Sequence, residues 1–132
     1  MATPPGTARL HELVLPCMAN HHGTLFAGQG LQLLAKAAFL AARSLAQREV
    51  VMAAVTSVDF FEPVPVGCEL ALHGWVSRVG RSSLTVCVSG TARRLGAPCK
   101  DVLKGVFQMV AVDSQGRPAA VDCRYMNPEA IP

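Results

Sequence analysis

No aspartate or glutamate occurs between Glu12 and Glu49, a gap that covers the longest helical pattern in the chain. Any general base serving that stretch must come from another segment or be another kind of group, or there is none. Aromatic residues are also scarce, at 5% of 132 residues, so a core must be built mainly from Val, Leu and Ala. Charged residues make up 16%, with a formal net charge of +3, and only Arg93 and Arg94 are adjacent cations. That is too thin a basic surface for nucleic acid, although a few converging cations suffice for a phosphorylated small molecule. The five cysteines (Cys17, Cys68, Cys87, Cys99 and Cys123) show no CxxC or other metal-ligand spacing. Their odd number, behind a Pro/Gly/Thr-rich rather than apolar start, predicts free thiols in a reducing cytoplasm. The uncharged apolar run 23–35 stops at Lys36 and is too short to cross a bilayer, so no membrane partner is expected.

What the chain does have is concentrated in residues 15–42. A strand-like segment ends at Pro16 and is followed by Asn20-His21-His22-Gly23-Thr24-Leu25-Phe26-Ala27-Gly28 and then a long apolar helix pattern. The loop delivers an amide side chain and two imidazoles to a helix N-terminus, where free backbone N–H groups can hold a carbonyl oxygen or an anion. Such an arrangement suits acyl transfer.

The length fits one domain with one core. Residues 1–8 are expected to be a disordered tail, 9–118 the domain and 119–132 an irregular C-terminal tail. Leu10, Leu13 and Leu15 predict a first strand over 9–15, ended by Pro16. Good helix formers without an interrupting proline predict a helix over 28–47. Its apolar residues occupy both sides (Leu31, Leu34, Ala38, Ala41, Ala42 and Leu45 against Leu33, Ala37 and Leu40), so it should be covered on most faces. Four β-type segments follow, at 50–61, 69–79, 83–92 and 102–112, with a turn at Gly80-Arg81 and a loop over 93–101. Strands in succession after a helix indicate an antiparallel sheet in an α+β domain. An open sheet edge left over predicts pairing with a second copy.

With these elements in order, the chain resembles the hot-dog-fold acyl-CoA thioesterases, in which an antiparallel sheet wraps one long central helix. Residues 13–28 (L-V-L-P-C-M-A-N-H-H-G-T-L-F-A-G) are similar to that family's strand and Asn/Gly loop. Residues 60–67 (F-F-E-P-V-P-V-G) resemble its F-x-x-P-V-x-V-G connection. Residues 79–83 (V-G-R-S-S) resemble its hairpin turn, and 107–118 (F-Q-M-V-A-V-D-S-Q-G-R-P) its last strand and exit. The motifs run in order along nearly the whole chain; they are specific for the fold and the acyl-CoA class, not for the acyl group.

The resemblance implies thioester hydrolysis. The acyl carbonyl would lie at the helix N-terminus, with N–H groups near Ala27 and Gly28 stabilising the oxyanion. Asn20 would orient water or thioester. A helix carboxylate, usually facing the partner subunit's site, would act as base or nucleophile. Carried across without gaps, that carboxylate falls at Ala35, so the base must be non-standard. The resemblance implies no metal and no redox cofactor, coenzyme A being part of the substrate. It also implies a homodimer or higher homo-oligomer.

Each candidate has a plainer reading beside it. Asn20 can simply cap a turn. His22, with His21, can replace the missing base through a near-neutral pKa, or be a solvated turn histidine. Asp59, beside the 60–67 connection, is the best substitute carboxylate, or else a surface acid paired with an arginine. Gln29 and Gln32 can position water but cannot act as bases, and Lys36 reads as a snorkelling side chain. Cys17 with His21 lacks a third orienting group. Arg78, Arg81, Ser82 and Ser83 border the turn that, in the family, follows the coenzyme; Arg93 and Arg94 are further candidates. The provisional site is thus Asn20, Gly28 and either Asp59 or His22. The alternative is a non-catalytic acyl-CoA or acyl-thioester binding protein that kept the pocket and lost the base. A hydratase or dehydratase is a third reading, for which no residue is clearly placed.

Overall fold

Residues 27–46 form one 20-residue α-helix, α1 (Ala27–Ala46), in a computed structural model that describes residues 4–121. Leu33, Leu34, Ala37, Ala38, Ala41, Ala42, Leu45 and Ala46 are buried along it. The repeated alanines let the helix lie close to the sheet; a Cβ on Gly74 would come within 3.2 Å of the Ala37 carbonyl oxygen. The helix ends at Gln47, which adopts left-handed φ of 54° and returns its N–H to the Arg43 carbonyl.

Five strands wrap this helix: β1 (Thr7–Leu13), β2 (Val50–Phe60), β3 (Glu69–Val79), β4 (Ser83–Arg93) and β5 (Lys100–Ala111). They form one sheet in the order β1-β3-β4-β5-β2, antiparallel throughout. This is the expected α+β architecture of a sheet around one central helix. The alternation in β3 and β4 puts Leu70, Leu72, Val76, Leu84, Val86 and Val88 against α1, with Leu103, Phe107 and Met109 of β5.

Several boundaries differ from expectation, each through long-range pairing. β1 begins at Thr7, inside the segment expected as a tail, because Thr7 pairs with Trp75 and Ala8 with Gly74. The chain is anchored further by Gly6, whose N–H donates to Ser44 Oγ at 2.9 Å. β1 ends at Leu13 rather than Leu15, and Pro16–Met18 forms a short 3-10 turn. β5 begins at Lys100, inside the expected loop, because Lys100 and Asp101 pair with Ala92 and Thr91. Beyond β5, Ala119 N–H donates to the Ala111 carbonyl, Val121 N–H to Arg81, and Val121 is buried. The rest of the expected C-terminal tail, with Cys123, lies outside the described residues.

β2 is exposed along almost its whole length. Only Val50 is buried, and Val51, Met52, Val55 and Phe60 are all exposed on this edge strand. Leu31, expected among the covered helix residues, is exposed as well. Two register shifts, between Met52 and Ala54 and between Val55 and Ser57, turn the side-chain alternation within β2.

Candidate active site

From β2 the chain must cross the end of the sheet to reach β3, and residues 61–68 make that crossing. They are zipped to the loop before α1. Leu25 N–H donates to the Val64 carbonyl at 2.7 Å and Val66 N–H to Gly23 at 3.1 Å. Gly67 N–H donates to Val14 at 2.8 Å. Gly23 takes a φ of 77°, a conformation that favours glycine, to make the turn. Two loops far apart in sequence thereby become the two walls of one cleft.

Asn20 holds the first wall together. Its Oδ1 accepts the backbone N–H of His22 at 2.9 Å and of Thr24 at 3.2 Å, and its Nδ2 donates to Thr24 Oγ1 at 3.1 Å. Its own N–H donates to the Thr24 carbonyl. The turn-capping reading of Asn20 is therefore correct, and it does not exhaust the side chain: Nδ2 carries a second hydrogen.

Asn20 lines a cleft of about 280 Å³ with Thr24, Ala27, Phe60, Glu62 and Leu103. The N-terminus of α1 opens beside it. No side chain caps this end, no acid lies in the first turn, and the N-cap residue is Phe26. Among the described residues no acceptor meets the N–H groups of Ala27, Gly28 or Gln29. These donors and the positive end of the helix dipole are available to a carbonyl oxygen that gains negative charge. Gly30 lets the helix approach β2 and β5 here, since a Cβ would stand 3.1 Å from the Phe60 ring and 3.4 Å from Leu25 Cδ2.

The structure thus brings together Asn20, the helix N-terminus at Gly28 and the 60–67 connection. It does not bring Asp59 to them. Phe60 pairs with Leu103 and faces α1, so Asp59, one residue earlier and paired with Lys104, points to the opposite face of the sheet. The expectation of Asp59 as base is corrected for the single chain by this alternation. His22 is exposed and is not part of the cleft lining; its ring lies 3.9 Å from that of His21. Cys17 is exposed on the Pro16–Met18 turn.

Arg78, Arg81, Ser82 and Ser83 are also separated from the cleft. The β3–β4 hairpin closes where Ala111 N–H donates to the Ser82 carbonyl, at the end of the sheet near the C-terminus of α1. The cleft is at the other end of β3, and that strand's eleven residues span about 33 Å at the usual rise per residue. Within one chain the hairpin and the carbonyl site therefore lie at opposite ends of the sheet.

Glu62 is the residue that sequence reasoning missed. It lines the cleft with Asn20, and its carboxylate faces Lys100 Nζ at 3.9 Å. The signal was within the F-F-E-P-V-P-V-G segment, but only the crossing of 61–68 over the sheet end reveals its neighbour. Ala35 is half-buried on α1, in the third turn. Among the described residues no group of three or more His, Cys, Asp or Glu could hold a metal, and no helix is long and apolar enough to cross a membrane.

Comparisons with known proteins agree with this fold. Residues 22–98 match the thioesterase superfamily. An uncharacterized acyl-CoA thioester hydrolase of Zymomonas mobilis is 34% identical over 119 residues, covering 89% of this chain and 80% of that protein. Among solved structures, an apo-hexameric acyl-CoA thioesterase superposes with a TM-score of 0.86 at 35% identity, covering 90% of this chain and 78% of the other. An acyl-CoA hydrolase from Staphylococcus aureus, in complex with butyryl coenzyme A, coenzyme A and coenzyme A disulfide, gives 0.83 at 29% identity, covering 88% and 71%. Alanine variants of an asparagine, an aspartate and a threonine of that hydrolase have also been solved. The aspartate there follows the asparagine by 15 positions; the residue at that spacing from Asn20 is Ala35. The threonine follows the aspartate by 17 positions, which counted without gaps falls at Met52.

Proposed function

The chain belongs to the thioesterase superfamily, and on that premise we propose that it is an acyl-CoA thioester hydrolase with a non-standard base. The observation that carries this reading is the cleft lined by Asn20, by Ala27 at the uncapped N-terminus of α1 and by Glu62. The thioester carbonyl lies against the N–H groups of Ala27 and Gly28, which stabilise the oxyanion as water adds. The free Nδ2 hydrogen of Asn20 orients the water or the thioester oxygen. Glu62 takes the proton from water, and the CoA thiolate leaves. In this role Glu62 displaces Asp59, which faces away, and leaves His22 as the remaining imidazole at the loop.

The exposed apolar edge of β2 supports a homodimer formed by antiparallel pairing of two such edges. Hexameric relatives support a higher homo-oligomer of such pairs. A twofold axis across β2 reverses the strand ends, so the second copy's β3–β4 hairpin comes to the cleft end of the first. Arg78, Arg81, Ser82 and Ser83 would then meet coenzyme A from across that interface.

Ala35 specifically favours a second reading, a non-catalytic acyl-CoA binding protein. One experiment separates the two: acyl-CoA turnover by the native protein and by the Ala35→Asp variant. The hydrolase reading expects saturable turnover by the native protein and little gain in the variant. A native protein that binds acyl-CoA without turnover, with hydrolysis appearing only after Ala35→Asp, would establish the binder.

A further inference from the structure

A second cavity, of about 240 Å³, adjoins the Asn20 cleft and shares two of its residues, Glu62 and Pro63. Its far wall is the end of β4, the loop 94–99 and the start of β5. Three cations line it: Arg93, Arg94 and Lys100. Arg93 is held by Glu69, Nη2 to Oε2 at 2.7 Å, which fixes its guanidinium at the wall. The Arg94 carbonyl accepts from Ala97 N–H, but its guanidinium makes no hydrogen bond or ion pair among the described residues. Lys100 meets Glu62 only at 3.9 Å, a contact that an incoming anion can replace. Glu62 is the one acid in the lining, so the cavity keeps a positive excess beside a cleft built for a carbonyl.

We propose that this cavity binds the phosphate groups of the ligand whose thioester occupies the Asn20 cleft, with Arg94 and Lys100 as the phosphate contacts. The inference rests on the acyl-CoA reading above. The arm that joins thioester to diphosphate passes over the ridge of Glu62 and Pro63. A guanidinium without a partner and a loosely held ammonium are suited to this, because neither must give up a strong bond to receive a phosphate. The coenzyme's anionic end is thereby recognised within the same chain as the carbonyl, at the opposite end of the sheet from that chain's Arg78 and Arg81.

The test compares an acyl-CoA with the same acyl group on pantetheine, which lacks the nucleotide and its phosphates. The Arg94→Ala/Lys100→Ala double variant should raise KM for the acyl-CoA about tenfold or more, the loss expected for charge-assisted contacts. In Arg94→Ala alone, which leaves Lys100 beside Glu62, KM for the acyl-pantetheine and the melting temperature should stay unchanged while KM for the acyl-CoA rises. Adenosine 3′,5′-bisphosphate should inhibit the native protein and lose that effect in the double variant. Equal effects on both thioesters, or none on either, would overturn the proposal. So would a CoA-selective loss caused by Arg81→Ala and not by the double variant. Calorimetric binding of a desulfo-CoA reads the same affinity change without turnover, so failure of hydrolysis and failure of the phosphate site are told apart.

Discussion

Replacing Glu62 by Gln removes one charge and almost no volume, and its two consequences differ greatly in size. The stability term is small. Glu62 and Lys100 are 3.9 Å apart with side chains 51% and 68% exposed, a geometry for which ion pairs contribute about 0–1 kcal/mol. For a domain of this size that is a melting shift of at most about 4 °C. The catalytic term is large, because a positioned general base contributes about 10²–10⁴ in rate, or about 2.7–5.4 kcal/mol of barrier. Glu62→Gln should therefore melt almost as the native protein does while kcat falls by two or more orders of magnitude. The assay should follow the thioester absorbance rather than thiol release, because Cys17 and Cys99 are exposed and would react with a thiol reagent. A folded Glu62→Gln variant that keeps kcat within about threefold of native would refute the assignment, since no base of the expected strength would have been removed.

Three further outcomes are expected. Asn20→Asp keeps acceptors for the N–H groups of His22 and Thr24 but loses the Nδ2 donor; it should retain stability to within about 1 kcal/mol and lose about 10²-fold or more in kcat, whereas Asn20→Ala should lose both, as melts and turnover will show. Gly74→Val, although it raises strand propensity, should destabilise by about 1–3 kcal/mol in urea titrations, because its Cβ would stand 3.2 Å from the backbone oxygen of Ala37. Burial, aided by the Arg9 cation, holds the His73 imidazole below the usual histidine range. The unfolded chain thus binds the proton more readily, so this stability is complete above about pH 6.5 and is lost as pH falls through the folded value. Melting temperatures near neutrality and in mild acid should diverge in the native protein and converge in His73→Gln.

Much of this fold is local enough to read from the chain. The helix lies within one residue of its expected ends, and β3 and β4 follow their alternation, because Leu70, Leu72, Leu84 and Val86 carry the burial signal themselves. The start of β1 and the start of β5 were not legible, since Thr7 and Lys100 become strand only by pairing with Trp75 and Ala92. At the site, Asn20 and the helix N-terminus are adjacent in sequence, so their proximity is legible from the chain alone. Asp59 lies on the face of β2 away from α1, opposite Lys104, and the exposure of nearly the whole strand leaves no burial alternation in the sequence to tell its two faces apart. The place of Glu62 at the cleft, and the distance of Arg81 and Ser82 from it within one chain, are not legible in the sequence for one reason. Which end of a long strand faces the cleft is set by the crossing of 61–68, not by any motif on the strand.

Where the acyl carbonyl lies decides between the proposed site and any other. The decisive measurement is a structure with an S-(2-oxoalkyl) coenzyme A, a ketone analogue in which a methylene between sulfur and carbonyl prevents hydrolysis. Its ketone oxygen should lie within about 2.7–3.1 Å of a backbone nitrogen of Ala27, Gly28 or Gln29, with Asn20 and Glu62 beside it in the same cleft. A ketone bound away from the N-terminus of α1, with those N–H groups still facing water, would contradict the proposed site and the hydrolysis assigned to it.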